Sequence, residues 1–129
     1  MKSKIVTSKA PEALGPYNQA VLIDSLLFCS GQIGINPETK TLVSGGIEAE
    51  AKQVFVNLTA VLEEANLSWL DVVKTEIFLK NINDFSVVND IYKNLFVPDA
   101  VLPARQTVEV SNLPKNALIE VSVIAYGKK

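Results

Sequence analysis

The chain contains no histidine, a single cysteine and a single arginine, and each shortage removes a class of function. Histidine is the commonest general base near neutral pH and the commonest metal ligand, so its absence excludes Ser-His-Asp triads, Cys-His dyads and the usual zinc sites. Neither a metal nor a cofactor is expected. One cysteine, Cys29, cannot close an internal disulfide, which suits a reducing compartment. No cation stands near it in the sequence, so an inert, buried strand thiol is expected. Long apolar runs are also missing, which leaves nothing to span a bilayer. The start, Met1 to Val6, runs into Lys9, Pro11 and Glu12 without the apolar stretch of a signal peptide, so a cytoplasmic location is expected, an organelle being left open. Positive charge is short too. With a net charge of −2 and scattered lysines, the chain has no basic stripe to displace counterions, and no nucleic-acid partner is expected.

What is present must do its chemistry with carboxylates, hydroxyls, amides, tyrosine, backbone and one guanidinium. The 129 residues form one expected domain, 1–129, large enough to bury about two-thirds of the unfolded chain's surface. Arg105 is the only arginine among twelve basic residues. A guanidinium presents a planar fork of donors that grips a carboxylate through two parallel hydrogen bonds, where lysine offers a point charge. Arg105 is therefore the first candidate for an anionic ligand.

Residues Ala20 to Gly31 read as two strands about a turn at Asp24-Ser25, with Gly31 and Gly34 marking a bulge or a close backbone approach. Ile47, Ala51, Val54, Leu58, Val61, Leu62 and Ala65 recur at three- and four-residue steps, which predicts a helix from Ile47 to Ala65. Val72 to Leu79 is β-branched and predicts a strand. Asn83 or Asp84 is expected to cap a second helix with the stripe Phe85, Val88, Ile91, Tyr92, Leu95, ended by Pro98. Arg105 to Val110 and Leu118 to Tyr126 are the last predicted strands. The fold class is α+β: two strand-helix-strand crossovers of the same hand put both helices on one face of a mixed sheet.

The other face is then bare. Alternation assigns Ile119, Val121 and Val123 to the helices and Glu120, Ser122 and Ile124 to the bare side. By the same rule Val108 and Val110 are expected against the helices, which would gather Arg105, Thr107, Glu120 and Ser122 on the bare face with Phe28, Ser30 and Gln32. A face so mixed is too apolar for water and too polar for a core, so burial against further copies of the chain is expected. Glu120, inside an apolar run, is expected to need a cationic partner, with Arg105 or Lys74 the candidates.

Ala13-Leu14-Gly15-Pro16-Tyr17, Ser30-Gly31-Gln32-Ile33-Gly34, Val73-Lys74-Thr75, Val88-Asn89 with Ile91-Tyr92, Pro103-Ala104-Arg105 and Leu113-Pro114-Lys115 with Ile119-Glu120-Val121 resemble, in order and over almost the whole chain, the Rid family of reactive-intermediate deaminases, also called L-PSP endoribonucleases. The resemblance implies a chorismate-mutase-like fold and a homotrimer with three inter-subunit clefts. It also implies a 2-iminobutanoate/2-iminopropanoate deaminase, hydrolysing 2-imino acids or their enamines to 2-keto acids and ammonia. Arg105 matches the family's carboxylate clamp and Glu120 its water-positioning carboxylate, with Tyr17 a further catalytic candidate. Ser30, Gly31, Asn89 and the backbone at Thr107 match substrate-binding positions. Thr107 stands where the archetypal deaminases often have cysteine, and Gln106 where a small or apolar residue is usual.

Read from the residues alone, Tyr17 equally suits a subunit contact, Ser30 a backbone hydrogen bond at a strand end, and Asn89 a solvated helix face. Two other functions stay open. One is an endoribonuclease or translation inhibitor, disfavoured by the missing histidine and the acidic charge. The other is a non-catalytic regulatory module that binds keto acids.

Overall fold

Residues 1–127 are described in the computed structural model of the chain. In chain order the elements are β1 (Lys2–Ile5), β2 (Ala20–Ile23), β3 (Leu26–Cys29), β4 (Ile35–Asn36), β5 (Thr41–Leu42), α1 (Gly46–Glu64), β6 (Val72–Leu79), α2 (Phe85–Lys93), β7 (Ala104–Glu109) and β8 (Ile119–Tyr126). Six strands form one mixed sheet in the order β1-β2-β3-β8-β6-β7, and β4 pairs with β5 in a separate ribbon.

The β2–β3 hairpin turns where expected. Ile23 pairs with Leu26, and Asp24 takes a left-handed φ of 52°, which aspartate tolerates better than most side chains. Strands β3 and β6 are both antiparallel to β8, hence parallel to each other, and α1 makes the crossover between them. Helix α2 makes the second crossover, from β6 to its parallel neighbour β7. Both helices pack on one face. Val54, Leu58 and Val61 of α1 share a buried cluster with Ile77, Ile119, Val121 and Val123 of the sheet. Cys29 lies in this core, and burial pushes its thiol up to about 12, so it is inert at neutral pH.

Three features differ from the sequence expectation. Strand β1 and the β4–β5 ribbon were not anticipated: Lys2, Ser3 and Lys4 are exposed and show no apolar alternation, and the strand forms because the edge of β2 offers it a ladder. Second, Asp84 holds the N-cap position of α2 without a side-chain cap bond. The capping side chain is Asn81, whose Oδ1 accepts from the Asn83 amide at 2.9 Å and starts a short 3₁₀ turn, Ile82–Asp84.

Third, β7 is turned over. Arg105 lies opposite Thr75 and Thr107 opposite Ile77, both on the helix-covered side, whereas Val108 lies opposite Phe78 on the bare side and is 40 % exposed. β7 is an edge strand covered only by short α2. Its covered residues complete that side with a guanidinium stacked on rings of α2, so the valines are not needed there.

Buried polar side chains hold the loops at one end of the sheet. Asn57 of α1, fully buried, donates from Nδ2 to the carbonyls of Ile33 at 3.3 Å and Ile35 at 2.9 Å, and accepts from Gln53 at 2.8 Å. Gln19 accepts from the Thr7 amide at 2.7 Å and donates to the carbonyls of Thr7 and Pro11 at 3.0 and 2.8 Å, which pins residues 7–11. Glu50 accepts from the Leu118 amide at 2.8 Å and ties α1 to the entry of β8. A buried carbonyl stripped of its donor costs about 1–3 kcal/mol. Asn57→Ala, which strips two, is therefore expected to lower the unfolding free energy by about 2–6 kcal/mol in urea titrations.

Candidate functional site

The residues singled out in the sequence fall into two groups, on opposite faces of the sheet. The first surrounds a β-bulge. Phe28 pairs with Ile124, yet Gln32 bridges Val121, so four steps along one strand match three along the other and an extra residue is accommodated between them. The bulge brings Ser30 and Gly31 beneath Glu120. A Cβ on Gly31 would stand 2.6 Å from Glu120 Oε2 and 2.8 Å from its Cδ, so glycine at this position is what lets the carboxylate lie against the backbone. Glu120 and Gly31 line an open depression of about 710 Å³ with Tyr17, Ser30, Pro114 and Lys115.

Ser30 is oriented by its loop: its amide donates to Gln19 O at 2.9 Å and its hydroxyl to Asn18 O at 2.6 Å. With its proton committed, the hydroxyl oxygen faces any ligand as an acceptor. Tyr17 is 53 % exposed on the rim, and its hydroxyl makes no hydrogen bond among the described residues. Lys115 and Asn116 both adopt left-handed φ, 56° and 58°, in the turn that precedes β8; strain of this kind clusters at ligand sites.

Glu120 itself has no ion-pair partner among the described residues, so neither Arg105 nor Lys74 plays the role expected of it. Half-buried and uncompensated, its carboxyl is raised above its ordinary value by desolvation.

Arg105, Thr107 and Asn89 form the second group, on the helix-covered face. Asn89 Oδ1 accepts from Arg105 Nη1 at 2.6 Å, and the guanidinium lies over the rings of Phe85 and Tyr92, 5.4 and 5.2 Å from their centroids, within cation–π range. Phe85, Asn89 and Tyr92 stand at i, i+4 and i+7, one face of α2. Tyr92 is locked in turn: its hydroxyl donates to Thr75 at 2.9 Å, and its ring packs edge-on against Trp69 and Phe96. The guanidinium is thus held by groups that leave its charge unneutralised, since no carboxylate lies within ion-pair distance among the described residues. Beside it, Thr107 Oγ1 is buried with no hydrogen-bond partner.

The expectation that Arg105, Thr107 and Glu120 share the bare face is therefore overturned. Tyr17, Ser30, Gly31 and Glu120 are brought together; Arg105, Asn89 and Thr107 are brought together elsewhere. Gln32 is also moved, because the bulge reverses the alternation: Phe28 stays on the bare face while Gln32 turns to the covered side and is buried. Periodicity alone assigns Phe85 and Tyr92 to a core stripe; their spacing around Asn89 is the sequence sign that they form a platform for a cation.

The Endoribonuclease L-PSP family model matches residues 7–127. A RutC family protein of Synechocystis is 49 % identical over 97 % of both chains, and the human 2-iminobutanoate/2-iminopropanoate deaminase is 47 % identical over 94 % of this chain and 87 % of its own. Among solved structures, a Rid family protein of Yersinia pestis superposes with a TM-score of 0.95 at 50 % identity, covering 98 % of this chain and all of that one. E. coli TdcF, solved with bound serine, superposes at 0.92 with 35 % identity over 98 % of this chain and 99 % of that one.

Two stability measurements probe these environments. Burial raises the folded-state pKa of Glu120 above its unfolded value, so the native state retains a proton that the unfolded chain has lost, and stability falls as pH rises through that window. Glu120→Gln is expected to be more stable than the parent at pH 7, the gap closing as pH falls toward about 4. Thr107→Val replaces the unpaired hydroxyl with a methyl of the same shape. Denaturant unfolding is expected to show a gain of about 1 kcal/mol.

Proposed function

Because the chain belongs to the Endoribonuclease L-PSP family, whose relatives include 2-iminobutanoate/2-iminopropanoate deaminases, we propose that it hydrolyses 2-imino acids to 2-keto acids and ammonia. The observation that carries this reading is the opposite polarity of the two groups. One is a fixed, unneutralised guanidinium; the other is a carboxylate beside a hydroxyl that can only accept. A protonated 2-imino acid has matching ends, a carboxylate and an N–H cation.

Arg105 binds the substrate carboxylate through its fork, its plane held by Phe85, Tyr92 and Asn89. Glu120 and Ser30 accept from the iminium N–H and favour its charge. Glu120 holds a water against C2 and takes its proton as the water oxygen bonds to C2 and the C=N π pair moves to nitrogen. The resulting carbinolamine collapses: Glu120 returns its proton to the amino nitrogen, the C–N bond breaks and ammonia leaves, and the C2 hydroxyl passes its proton to the freed Glu120 carboxylate as its oxygen becomes the keto oxygen. An iminium is already electrophilic, so orientation and charge suffice and no covalent nucleophile is required. Tyr17, on the rim, is placed to close over the substrate.

Since Arg105 and Glu120 occupy opposite faces of one protomer's sheet, a single substrate meets both only where two copies of the chain adjoin. The apolar bare face, with Phe28 and Tyr126 exposed, supplies a surface for that association, and a homotrimer with three such clefts is the arrangement the resemblance implies. RNA cleavage, the activity in the family's name, would need a base near neutrality and several phosphate contacts, which a chain without histidine and with one arginine is poorly equipped to provide.

The test generates 2-iminobutanoate from threonine with a dehydratase and follows keto acid release. Glu120→Gln is expected to lose turnover while still binding keto acid, which also separates an enzyme from a sensor. Arg105→Lys is expected to weaken substrate capture by roughly ten- to a hundredfold, one of two charged hydrogen bonds being lost. Clefts shared between copies make a further demand: when Glu120→Gln and Arg105→Lys are unfolded together and reassembled, about a quarter of the clefts regain both native residues, and the rate at limiting imine should rise to about that fraction of the parent's, above that of either variant alone. No recovery on mixing would place both residues' roles within one protomer and overturn the shared cleft.

A further inference from the structure

Among the described residues, Gln32 is a buried polar residue whose side chain makes no hydrogen bond in the fold. Of the six buried polar residues among those described, Thr7, Gln19, Glu50, Asn57 and Thr75 all have side-chain hydrogen bonds that tie loops or elements together. Gln32 is only 6 % exposed, is fixed through its backbone to Val121 at 2.8 and 3.0 Å, and its carboxamide bonds to nothing among the described residues. Yet its amide atoms are not sealed off, since the only fully enclosed unpaired side-chain atom among the described residues is Thr107 Oγ1. Gln32 is one of the residues that line the depression, together with Glu120.

An almost wholly buried, unpaired carboxamide on a residue that lines a ligand depression is suited to be a binding group for a partner outside the fold. The bulge explains its placement. By reversing the alternation between Phe28 and Gln32 it lays Glu120 over Gly31 and turns Gln32 inward, where it is buried yet still lines the depression, as Ala10, Ile33 and Ile35 do. The depression of a single protomer, about 710 Å³ before a second copy adjoins it, exceeds a four-carbon imino acid.

Resting on the reading of this depression as the imino-acid site, we infer that Gln32 is a specificity-determining residue that hydrogen-bonds the end of the substrate's side chain. The favoured substrates are then 2-imino acids whose side chain runs through a few apolar atoms to a hydrogen-bond acceptor. The apolar atoms pass Ile33 and Ile35, and the Gln32 amide donates to the acceptor.

The experiment uses 4-methylthio-2-oxobutanoate and its sulfoxide as keto acid probes, alike in length and differing by one strong acceptor oxygen. Calorimetric Kd values are measured for the parent and for Gln32→Met, which preserves the side chain's length and removes its donor; because the carboxamide makes no hydrogen bond in the fold, thermal unfolding is expected to be unchanged. The parent is expected to bind the sulfoxide about fivefold more tightly than the thioether, and the variant to lose that preference without weakening for the thioether. In the parent, the side-chain amide resonances of Gln32 should shift on adding the sulfoxide and stay in place with the thioether. The same preference in parent and variant, with unmoved resonances, overturns the role of Gln32 and leaves the deaminase reading intact. If the parent binds neither keto acid and does not hydrolyse 2-iminobutanoate, the deaminase reading fails and this inference falls with it.

Discussion

Strand β6 hydrogen-bonds to β7 on one side and to β8 on the other, and because side chains alternate along a strand, its register decides which face each neighbour presents. Ile77 lies opposite both Thr107 and Val121, and Phe78 opposite both Val108 and Glu120. A slip of one residue on either side would exchange the covered and bare sets. That slip is opposed by the burial of Ile77, Leu79, Ile119, Val121 and Val123 beneath the helices. Each such side chain is stabilised by roughly 1.5–3 kcal/mol relative to exposure. The positions of Arg105 and Glu120 are consequences of this apolar register.

The ends of the sheet are arranged differently, by buried hydrogen bonds. Gln19, Glu50 and Asn57 each hold backbone groups of a segment outside the ladders of the six-stranded sheet: residues 7–11, the entry to β8, and residues 33–35, which lead into the β4–β5 ribbon. Their polar atoms are expensive to bury unpaired, so the loops are confined to the few positions that satisfy them. Gly34 adds a steric limit, since a Cβ there would meet the Glu50 backbone at 3.0 Å. The depression keeps its shape for these reasons, without belonging to the apolar core.

A separation of charge follows. Had Arg105 and Glu120 met within one protomer, each would have neutralised the other and neither would be ready for a ligand. Placed on opposite faces, the guanidinium is supported by ring faces and one amide oxygen, and the carboxylate remains half-buried without a cation. Both are kept in states favourable to a substrate with an anionic and a cationic end.

Periodicity and punctuation were enough for much of the fold. The stripe from Ile47 to Ala65 located α1 to within a residue, Val72 to Leu79 matched β6, and Asp24-Ser25 placed the hairpin, because these signals are local and repeat several times. The candidate residues were legible from their chemistry: a lone arginine, a carboxylate in an apolar strand, a glycine at a strand end. What could not be read was their arrangement. Strand β7 offers only six residues, and Val108 and Val110 suggested a core face that its pairing with β6 denies it. The bulge that inverts Gln32, the stacking of Arg105 on Phe85 and Tyr92, and the strand status of Lys2–Ile5 all depend on a neighbour distant in the chain. The sequence by itself determined which groups are available, since composition and local periodicity are properties of the chain. Tertiary structure alone decided which face each group occupies, because register is a choice between pairings that local alternation leaves equivalent until burial separates them.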